Sequence, residues 1–254
     1  MTTSHPRHEL FVVVSGSEGG VGSAILQYFH GHAARIIGID RKPMTKPPAS
    51  PTVEHIFQAD LSRHEEVVAV GKAIGDLWSR VDILVNAAGT FLTDMQVWAQ
   101  CDQWNQLWND NVTSAVLLSQ EMYPLLRRGR QSLVVNVAST DAIVASAGQS
   151  CEIGVAHDIL YATTKGALVT LTRALAMAWA RDDIRVNAIC PTIIPSPMTR
   201  ELLAVPTKRD ELTSFIPLRS LCSPEDVAVA VHALYQLKMT TGHILPLDGG
   251  YLCM

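Results

Sequence analysis

The sequence has few of the features that mark disulfide-stabilised, metal-binding or membrane-spanning proteins. Its five cysteines are scattered, odd in number and never arranged as C-x-x-C, which predicts reduced thiols rather than a disulfide framework or a zinc site. No group of side chains has the spacing of metal ligands. No apolar stretch approaches the roughly 20 residues of a membrane span, and the first ten residues are too polar for a secretory signal. We therefore expect a cytoplasmic protein that needs no metal.

An excess of either charge is also missing. The 254 residues carry a formal net charge of -4, and no basic run is longer than Arg127-Arg128. Binding to nucleic acid or to an acidic membrane therefore has little support, and a small molecule is the expected partner. With 48% hydrophobic and 17% charged residues, the chain can bury one large core. No repeat divides it, so residues 1–254 are predicted to form a single domain.

Apolar runs alternate with helical patterns along the chain. Strands are predicted at residues 10–15, 33–39, 53–57, 81–85, 133–137, 184–189 and 244–247. Helices are predicted at residues 21–30, 65–78, 101–126, 159–180 and 224–237. This alternation implies right-handed crossovers and a parallel sheet with helices on both faces. The predicted fold is a doubly wound, Rossmann-type α/β sheet of about seven strands.

A glycine-rich segment, Ser15-Gly16-Ser17-Glu18-Gly19-Gly20-Val21-Gly22, separates the first strand from the first helix. Glycines at this place let the backbone turn tightly and approach a pyrophosphate at the helix N-terminus, although a plain turn is the alternative. Asp40 ends the second strand, where a carboxylate can bind the adenosine ribose and repel a 2′-phosphate; a solvated strand-end carboxylate is the alternative. Asp40 thus favours NAD over NADP, whereas the adjacent Arg41 could bind that phosphate.

Tyr161 and Lys165 lie four residues apart in the predicted helix 159–180. That spacing places both side chains on one face of the helix. A tyrosine hydroxyl normally titrates near pH ~10, and a neighbouring cation lowers its pKa. The pair could therefore act as a general acid or base, with a surface helix pair as the alternative.

In their order along the chain, these motifs resemble those of the short-chain dehydrogenases/reductases, in their single-domain branch of about 250 residues. The glycine spacing resembles that branch's cofactor loop, with Ser15 where threonine is usual. Further similarities are Ala59-Asp60-Leu61, Asn86-Ala87-Ala88-Gly89, Asn109-Asp110-Asn111-Val112, the run 134–139 ending in Ser139, the run 185–191 and Asp248-Gly249-Gly250. The resemblance covers nearly the whole chain.

The resemblance implies a catalytic set of Asn111, Ser139, Tyr161 and Lys165. Tyr161 would exchange a proton with the substrate oxygen, and Ser139 would hydrogen-bond that oxygen. Lys165 would hold the nicotinamide ribose and lower the pKa of the phenol, and Asn111 would anchor a water. A strand-end cap for Ser139 and a helix-kink hydrogen bond for Asn111 are the structural alternatives. The implied cofactor contacts are Gly16, Ser17, Glu18, Gly20, Val21, Gly22, Asp40, Asp60, Leu61, Asn86, Ala87, Tyr161, Lys165, Pro191, Ile194 and Ser196.

Two segments on the substrate side depart from the family pattern. Ser139 and Tyr161 are 22 residues apart, which is more than usual, so the loop at about 140–160 carries an insertion. It is expected either to shape the substrate pocket or to be a solvent-exposed excursion or subunit contact. Within it, His157 and Asp158 do not face each other, and Asp158 is expected to cap the helix that follows.

The second departure follows the sixth strand, where Thr192 replaces the usual glycine after Pro191 and puts the local backbone geometry in question. Residues 192–218 correspond to the family's substrate lid. Arg200, Lys208 and Arg209 in this segment face either an anionic substrate or solvent.

The function implied by the resemblance is NAD-dependent interconversion of a secondary alcohol and a ketone, in the alcohol-oxidising direction. An NADH- or NADPH-linked carbonyl reductase is the close alternative. A non-catalytic nucleotide sensor would be expected to lack Tyr161 or Lys165, and both are present. A homotetramer or dimer is implied, with residues 227–252 either in the core or in a subunit interface. Sugars, hydroxy acids, steroids, terpenoids and aromatic alcohols all fit this chemistry.

Overall fold

The computed structural model describes residues 9–32, 34–43, 53–91, 101–144 and 159–253. Its strands are Leu10–Ser15 (β1), Ala34–Asp40 (β2), Val53–Gln58 (β3), Ile83–Asn86 (β4), Leu133–Val137 (β5), Arg185–Pro191 (β6) and Ile244–Leu247 (β7). All pair in parallel, in the order β3-β2-β1-β4-β5-β6-β7. The predicted seven-stranded, doubly wound α/β sheet is confirmed, while the assignment of residues 1–254 to one domain stays a prediction.

Helices cover both faces of the sheet. They are Gly20–His30 (α1), His64–Leu77 (α2), Cys101–Trp108 (α3), Ser114–Leu126 (α4), Ile159–Trp179 (α5), Arg200–Leu203 (α6), Pro206–Ser214 (α7) and Pro224–Gln236 (α8). Side chains of α1 and α8 pack into the core on one face, and those of α2, α4 and α5 into the core on the other. In the described part of the chain, no helix combines the length and hydropathy that crossing a membrane requires.

The first strand shows why its sequence is apolar throughout. Val12 and Val14 join the core under α1 and α8, whereas Phe11 and Val13 join the core under α2 and α4. Successive side chains of a strand point to opposite faces, so a strand with helices on both sides buries every residue. Strand β1 is therefore read from sequence as a continuous apolar run rather than as an alternating one.

The predicted helix 101–126 is wrong in one respect, because a π-helical turn at Asn109–Thr113 separates α3 from α4. The Ser114 amide donates to the Asn109 carbonyl, which is the wider ring of a π-helix. Asn111 lies in this turn and is 0% exposed. The side-chain hydrogen bonds of Asn111 offset the poorer backbone geometry of the π-helical turn. The helical spacing of apolar residues does not reveal these hydrogen bonds.

The point where the strand order reverses lies between β1 and β4. Strand β1 pairs with β2 on one side and with β4 on the other, so the connections leave the sheet in opposite directions. In open α/β sheets the crevice at the carboxyl ends of such strands binds ligands. The glycine-rich loop after β1 and residues 87–90 after β4 both lie at this edge.

Arg185, at the start of β6, closes the C-terminal end of α8. Its guanidinium, in a residue only 9% exposed, donates to the carbonyl oxygens of Leu234 at 2.6 Å, Tyr235 at 3.0 Å and Leu237 at 3.0 Å. We expect Arg185→Leu to lower the free energy of unfolding by about 3 kcal/mol, because these carbonyls lose a charged donor. Urea denaturation followed by circular dichroism measures the loss. Arg181→Leu, at an exposed site, should change stability by less than about 0.5 kcal/mol; equal effects of the two substitutions would contradict the role given to Arg185.

Candidate active site

The glycine-rich loop is held tightly between β1, β2 and the segment after β4. Gly16 has φ +69°, and a Cβ there would lie 2.8 Å from the backbone of Ala87 and Ala88. The Gly16 amide donates to the Ile39 carbonyl at 2.8 Å. From beneath, the Ser15 hydroxyl accepts hydrogen bonds at 3.1 Å from the amides of Ala87 and Ala88. Glycine at position 16 is therefore required by both its backbone angle and its lack of a side chain.

The start of α1 fits an anionic group. Gly19 precedes the helix without a side-chain cap, and no acidic residue lies in the first turn. Backbone N–H groups at such an end bind phosphate, aided by the helix dipole. A Cβ on Gly22 would lie 2.0 Å from the Gly16 carbonyl oxygen, so helix and loop approach as closely as two backbones can. The loop and α1 together form a cradle suited to the pyrophosphate of a dinucleotide.

Three other residues of the loop have distinct surroundings. Ser17 is 1% exposed, and its side chain lies against Gly38, beneath the loop. Glu18 donates its backbone N–H to the Asp40 carboxylate at 2.9 Å. Val21 packs against the core under α1 and α8. Their implied contacts with a cofactor stay predictions.

Asp40 ties the end of β2 to the glycine loop. One carboxylate oxygen accepts from the Glu18 amide and the other from the Lys42 amide, both at 2.9 Å. Asp40 is therefore hydrogen-bonded at both carboxylate oxygens, and its implied contact with the adenosine ribose stays a prediction. The neighbouring Arg41 turns away to Asp110, with its Nη1 atom 3.1 Å from Asp110 Oδ2.

The residues implied for the adenine side lie at the ends of β3 and β4. Asp60 accepts hydrogen bonds from the amide and hydroxyl of Ser62 at 3.0 and 2.7 Å, and Leu61 is buried. Burial alone raises the pKa of Asp60, but the hydrogen bonds from Ser62 and the nearby arginines outweigh it and hold the pKa below its ordinary value. Asp60 is therefore a carboxylate at neutral pH.

Asn86 belongs to a buried polar network inside the sheet. Its amide donates to Ser119 Oγ at 2.9 Å and to Asn136 Oδ1 at 2.8 Å, and Asn136 donates to Thr172. The side chain of Asn86 thus ties β4 to β5 and α4. Ala87, the next residue, has its backbone at the glycine loop, against Gly16.

Lys165 is a buried cation at the centre of the site. It is 6% exposed, and its Nζ donates to the Val137 carbonyl at 2.9 Å. Burial lowers the pKa of Lys165 to about 8, although Cys190 and Asp141 oppose the shift. At neutral pH the ammonium is still mainly protonated. A buried positive charge that is bonded to a backbone carbonyl can stabilise phenolate or hold ribose hydroxyls.

Tyr161 is on the same face of α5 as Lys165. The Lys165 Nζ lies 5.4 Å from the centre of the Tyr161 ring, and Phe91 contacts that ring edge-on at 5.3 Å. Leu107 and Leu160 pack beside it. The prediction that the phenol and the ammonium share one face is confirmed by this geometry. The apolar neighbours remove part of the water, which strengthens the effect of the ammonium on the phenol.

Ser139 follows β5 and caps a short 3-10 turn, Thr140–Ala142. Its Oγ donates to Asp141 Oδ2 and accepts from the Asp141 amide, both at 3.2 Å. The alternative role of Ser139 as a strand-end cap is therefore present, and it leaves the hydroxyl beside a carboxylate. Burial raises the pKa of the neighbouring Cys190 to about 11, despite a hydrogen bond from the Ser139 amide, so this thiol is not a nucleophile.

Asn111 connects the π-helical turn to both neighbouring segments. Its Oδ1 accepts from the Thr90 amide at 2.7 Å, and its Nδ2 donates to the Thr90 carbonyl at 3.1 Å and to Thr164 Oγ1 at 3.0 Å. The helix-kink alternative is thus seen in the structure. Because Thr164 precedes Lys165, Asn111 also fixes the helix turn that carries the ammonium.

The segment after β6 lies against the glycine loop. Thr199 Oγ1 donates to the Ile194 carbonyl at 2.6 Å and accepts from the Ser196 amide at 3.0 Å. A Cβ on Gly20 would lie 3.1 Å from Ser196 Cβ, which places Ser196 at the loop. Pro191 and Ile194 are buried. Thr192 is not among the described non-glycine residues with a positive φ angle. Threonine in place of the usual glycine therefore causes no backbone strain here.

The remaining predicted features lie farther out or outside the described residues. Helices α6 and α7 form the segment that corresponds to the lid, with Arg200 and Arg209 exposed and Lys208 half-buried. Most of the insertion before Tyr161, including His157 and Asp158, lies outside the described residues. Within the described ranges, histidine, cysteine and acidic side chains form no group of three that could hold a metal ion.

Sequence reasoning missed several residues that hold the site together. They are Thr90, Phe91, Asp110, Asp141, Thr164 and Thr199. Each acts through a hydrogen bond, ion pair or ring contact between distant segments or within an irregular turn. Periodicity cannot detect such contacts; only proximity to a recognised motif could have drawn attention to Asp110, Asp141 and Thr164.

The burial of Lys165 gives a prediction about stability. In wild type, raising the pH past about 8 removes the proton from folded Lys165, while the unfolded chain keeps it up to about pH 10.5. The unfolded state then binds more protons, so folding becomes more favourable as pH rises. We expect Lys165→Met to be more stable than wild type near pH 7, with the difference narrowing by about 2 kcal/mol by about pH 9.5. Urea titrations of both proteins at the two pH values test this; a difference that does not change with pH would contradict it.

Comparison with known proteins gives matches along nearly the whole chain. A protein-family model described as enoyl-(acyl carrier protein) reductase matches residues 16–252. NAD-dependent glycerol dehydrogenase from Listeria innocua is 29% identical over 244 residues, which cover 94% of this chain and 92% of that protein. 2-(R)-Hydroxypropyl-CoM dehydrogenase from Xanthobacter autotrophicus is 30% identical over 251 residues, with 94% and 97% covered. The solved Pseudomonas aeruginosa RhlG/NADP active-site complex has a TM-score of 0.85 and 28% identity, with 97% of this chain and 99% of that chain covered.

Proposed function

Because the chain belongs to the short-chain dehydrogenase/reductase family, whose members are oxidoreductases that bind a nicotinamide cofactor and act on small molecules, we propose that it oxidises a secondary alcohol to a ketone with NAD. The observation that carries this proposal is the buried Lys165 ammonium 5.4 Å from the Tyr161 ring, at the carboxyl edge of the sheet. This edge also holds the pyrophosphate cradle formed by the glycine loop and α1.

In the proposed reaction, Tyr161 removes the hydroxyl proton of the alcohol as a general base. Lys165 makes this possible at neutral pH because its charge stabilises the phenolate. Ser139 turns its hydroxyl from Asp141 Oδ2 to the substrate oxygen and stabilises that oxygen as charge develops. A nicotinamide cofactor held by the glycine loop and Lys165 would supply the acceptor for the hydride that leaves the carbinol carbon. In the reverse direction, Tyr161 returns the proton to the oxygen, which is the carbonyl reductase alternative.

The choice of NAD rests on charge at the end of β2. Asp40 presents a carboxylate there, and Arg41 is already paired with Asp110. A 2′-phosphate would meet negative charge without a free arginine to receive it. The Listeria innocua relative is named as NAD-dependent, which agrees with this proposal, whereas the RhlG complex contains NADP.

The substrate class is proposed from the charge beside Ser139. The Asp141 carboxylate contacts the Ser139 hydroxyl that would bind the substrate oxygen. Asp141 would therefore repel a substrate that carries a carboxylate of its own. A neutral, hydroxylated substrate would avoid this repulsion and could donate a hydrogen bond to Asp141. The glycerol in the name of the Listeria innocua relative is such an alcohol. An anionic substrate received by Arg200 or Arg209 is therefore less favoured.

The proposal is tested with matched pairs of neutral and anionic secondary alcohols, such as a vicinal diol and the 2-hydroxy acid of equal carbon number. We expect NADH to form from the neutral alcohols, with a kcat/KM at least about tenfold above that for the matched acids. With the neutral alcohols, kcat/KM for NAD should likewise be at least about tenfold above that for NADP. A tenfold preference requires a difference of only ~1.4 kcal/mol in transition-state stabilisation. Asp141→Asn should narrow the preference against the acids. Turnover of the acids alone would contradict the substrate class, and no turnover of any alcohol or ketone with either cofactor would contradict the function.

We also propose that the protein is cytoplasmic and forms a dimer or tetramer. Light scattering measures the number of subunits.

A further inference from the structure

Arg41 and Asp110 form an ion pair between parts of the chain that are 69 residues apart. The Arg41 Nη1 atom lies 3.3 and 3.1 Å from the two Asp110 carboxylate oxygens. The Asp110 side chain is 11% exposed and that of Arg41 is 46% exposed. Thr90 Oγ1 also donates to Asp110 Oδ2 at 2.8 Å. Asp110 is therefore the fixed partner, and Arg41 is the partner whose position it determines.

The pair joins the end of β2 to the π-helical turn, which in turn contacts α5. Arg41 directly follows Asp40, whose carboxylate holds the glycine loop. Asp110 directly precedes Asn111, which contacts the turn carrying Lys165. An arginine next to the ribose carboxylate is the residue type that binds a 2′-phosphate through two parallel hydrogen bonds. In this chain the guanidinium is directed toward the π-helical turn between α3 and α4.

Two other cations, Arg63 and Lys42, lie in this region. Arg63 lies 3.7 Å from Asp60 and 3.8 Å from Glu66, so its charge is shared between two carboxylates. Lys42 is exposed, and its backbone N–H is bonded to Asp40. A 2′-phosphate carries up to about two negative charges and would face Asp40, Asp60 and Asp110. Binding it would require Arg41 to leave its partner and would leave a partly buried carboxylate without its charge partner.

We propose that Asp110 is a cofactor-specificity residue, which rejects NADP by holding Arg41 away from the 2′-phosphate site. This inference rests on the proposed function, because it assigns the region around Asp40 to the adenosine ribose. In this proposal, specificity comes from carboxylates that repel the 2′-phosphate and from the pairing of Arg41 with Asp110. It does not come from an additional contact to NAD. Asp110 is thus a positioning residue that acts through Arg41.

The test measures binding of two fragments by calorimetry, adenosine 5′-monophosphate and adenosine 2′,5′-bisphosphate, which differ only in the 2′-phosphate. Asp110→Asn keeps an acceptor for Thr90 and removes the charge. We expect it to raise the ratio of bisphosphate to monophosphate affinity by about tenfold, a typical gain from freeing a charged hydrogen-bond donor. Asp110→Ser is a second variant in case the amide disturbs the turn. Arg41→Ala in the Asp110→Asn background should remove the gain, whereas Lys42→Ala in that background should keep it.

Arg41→Ala as a single substitution should change the ratio of bisphosphate to monophosphate affinity by less than about twofold, because the guanidinium is already engaged. The effect of Arg41→Ala thus depends on whether Asp110 is present, and this non-additivity is expected of an ion pair. A gain below about fivefold in both Asp110 variants, or a gain that survives removal of Arg41, would overturn the inference while leaving the function intact. If neither fragment binds wild type, the proposed function and the inference both fail.

Discussion

Replacing Tyr161 by phenylalanine is expected to lower kcat by roughly 10³-fold, the usual contribution of a positioned general acid or base. The substitution removes one oxygen and leaves the ring contacts with Phe91 and Leu107 in place. NAD affinity should therefore change little, because the pyrophosphate cradle and Lys165 are untouched. Turnover is followed by the absorbance of NADH, and binding by fluorescence titration of the cofactor.

Tyr123→Phe is the matched control for the loss of a tyrosine hydroxyl. Tyr123 lies in α4, and its hydroxyl donates to Asp182 at 2.7 Å, away from the site. This variant should lose little stability and keep wild-type turnover. Turnover by Tyr161→Phe at a rate close to that of Tyr123→Phe would reject the catalytic role of Tyr161.

The second large effect is expected for Gly22→Ala, in the first turn of α1. The added Cβ would lie 2.0 Å from the Gly16 carbonyl oxygen and 2.9 Å from Ser17 Cα, so the loop must move away from the helix. A displacement of about 1 Å in a binding element can cost about 10²-fold, and we expect a loss of this order in NAD affinity. Isothermal calorimetry with NAD measures the loss, and thermal unfolding checks that the variant is folded.

Gly75→Ala is the control for the general effect of the same substitution in a helix. Gly75 lies in α2, is exposed, and a Cβ there would meet nothing within 4 Å. Alanine should stabilise the protein by up to about 1 kcal/mol and leave NAD affinity unchanged. If Gly22→Ala binds NAD as tightly as Gly75→Ala does, the close packing of loop and helix is not needed for the cofactor.

The features that sequence could predict are those governed by local pattern. The apolar run of β1 and the helical spacing that follows it identified the first strand, turn and helix, because burial on both faces leaves a continuous apolar signal. Tyr161 and Lys165 were predicted to share a face because four residues separate them on a helix. Gly16 and Gly22 were singled out by their position between a strand and a helix, and the structure places them in close backbone contacts.

The features that sequence could not predict depend on contacts between distant segments. The π-helical turn at Asn109–Thr113 is compatible with the same apolar spacing as a regular helix, and only the buried partners of Asn111 account for it. The pairing of Arg41 with Asp110 changes the meaning of Arg41, which as an isolated residue favours NADP. Likewise, the contact between Asp141 and Ser139 arises in an irregular turn. In each case, the identity of the partner determines what the residue can do.

In the proposed reaction, hydride leaves the carbinol carbon of a secondary alcohol while Tyr161 takes the hydroxyl proton. The most direct test uses a neutral secondary alcohol with deuterium on its carbinol carbon, incubated with the protein and NAD, followed by mass spectrometry of the reduced cofactor. Hydride transfer predicts one deuterium on each NADH formed and a ketone product that has lost it. Recovery of the deuterium in water, or formation of ketone without NADH, would contradict hydride transfer.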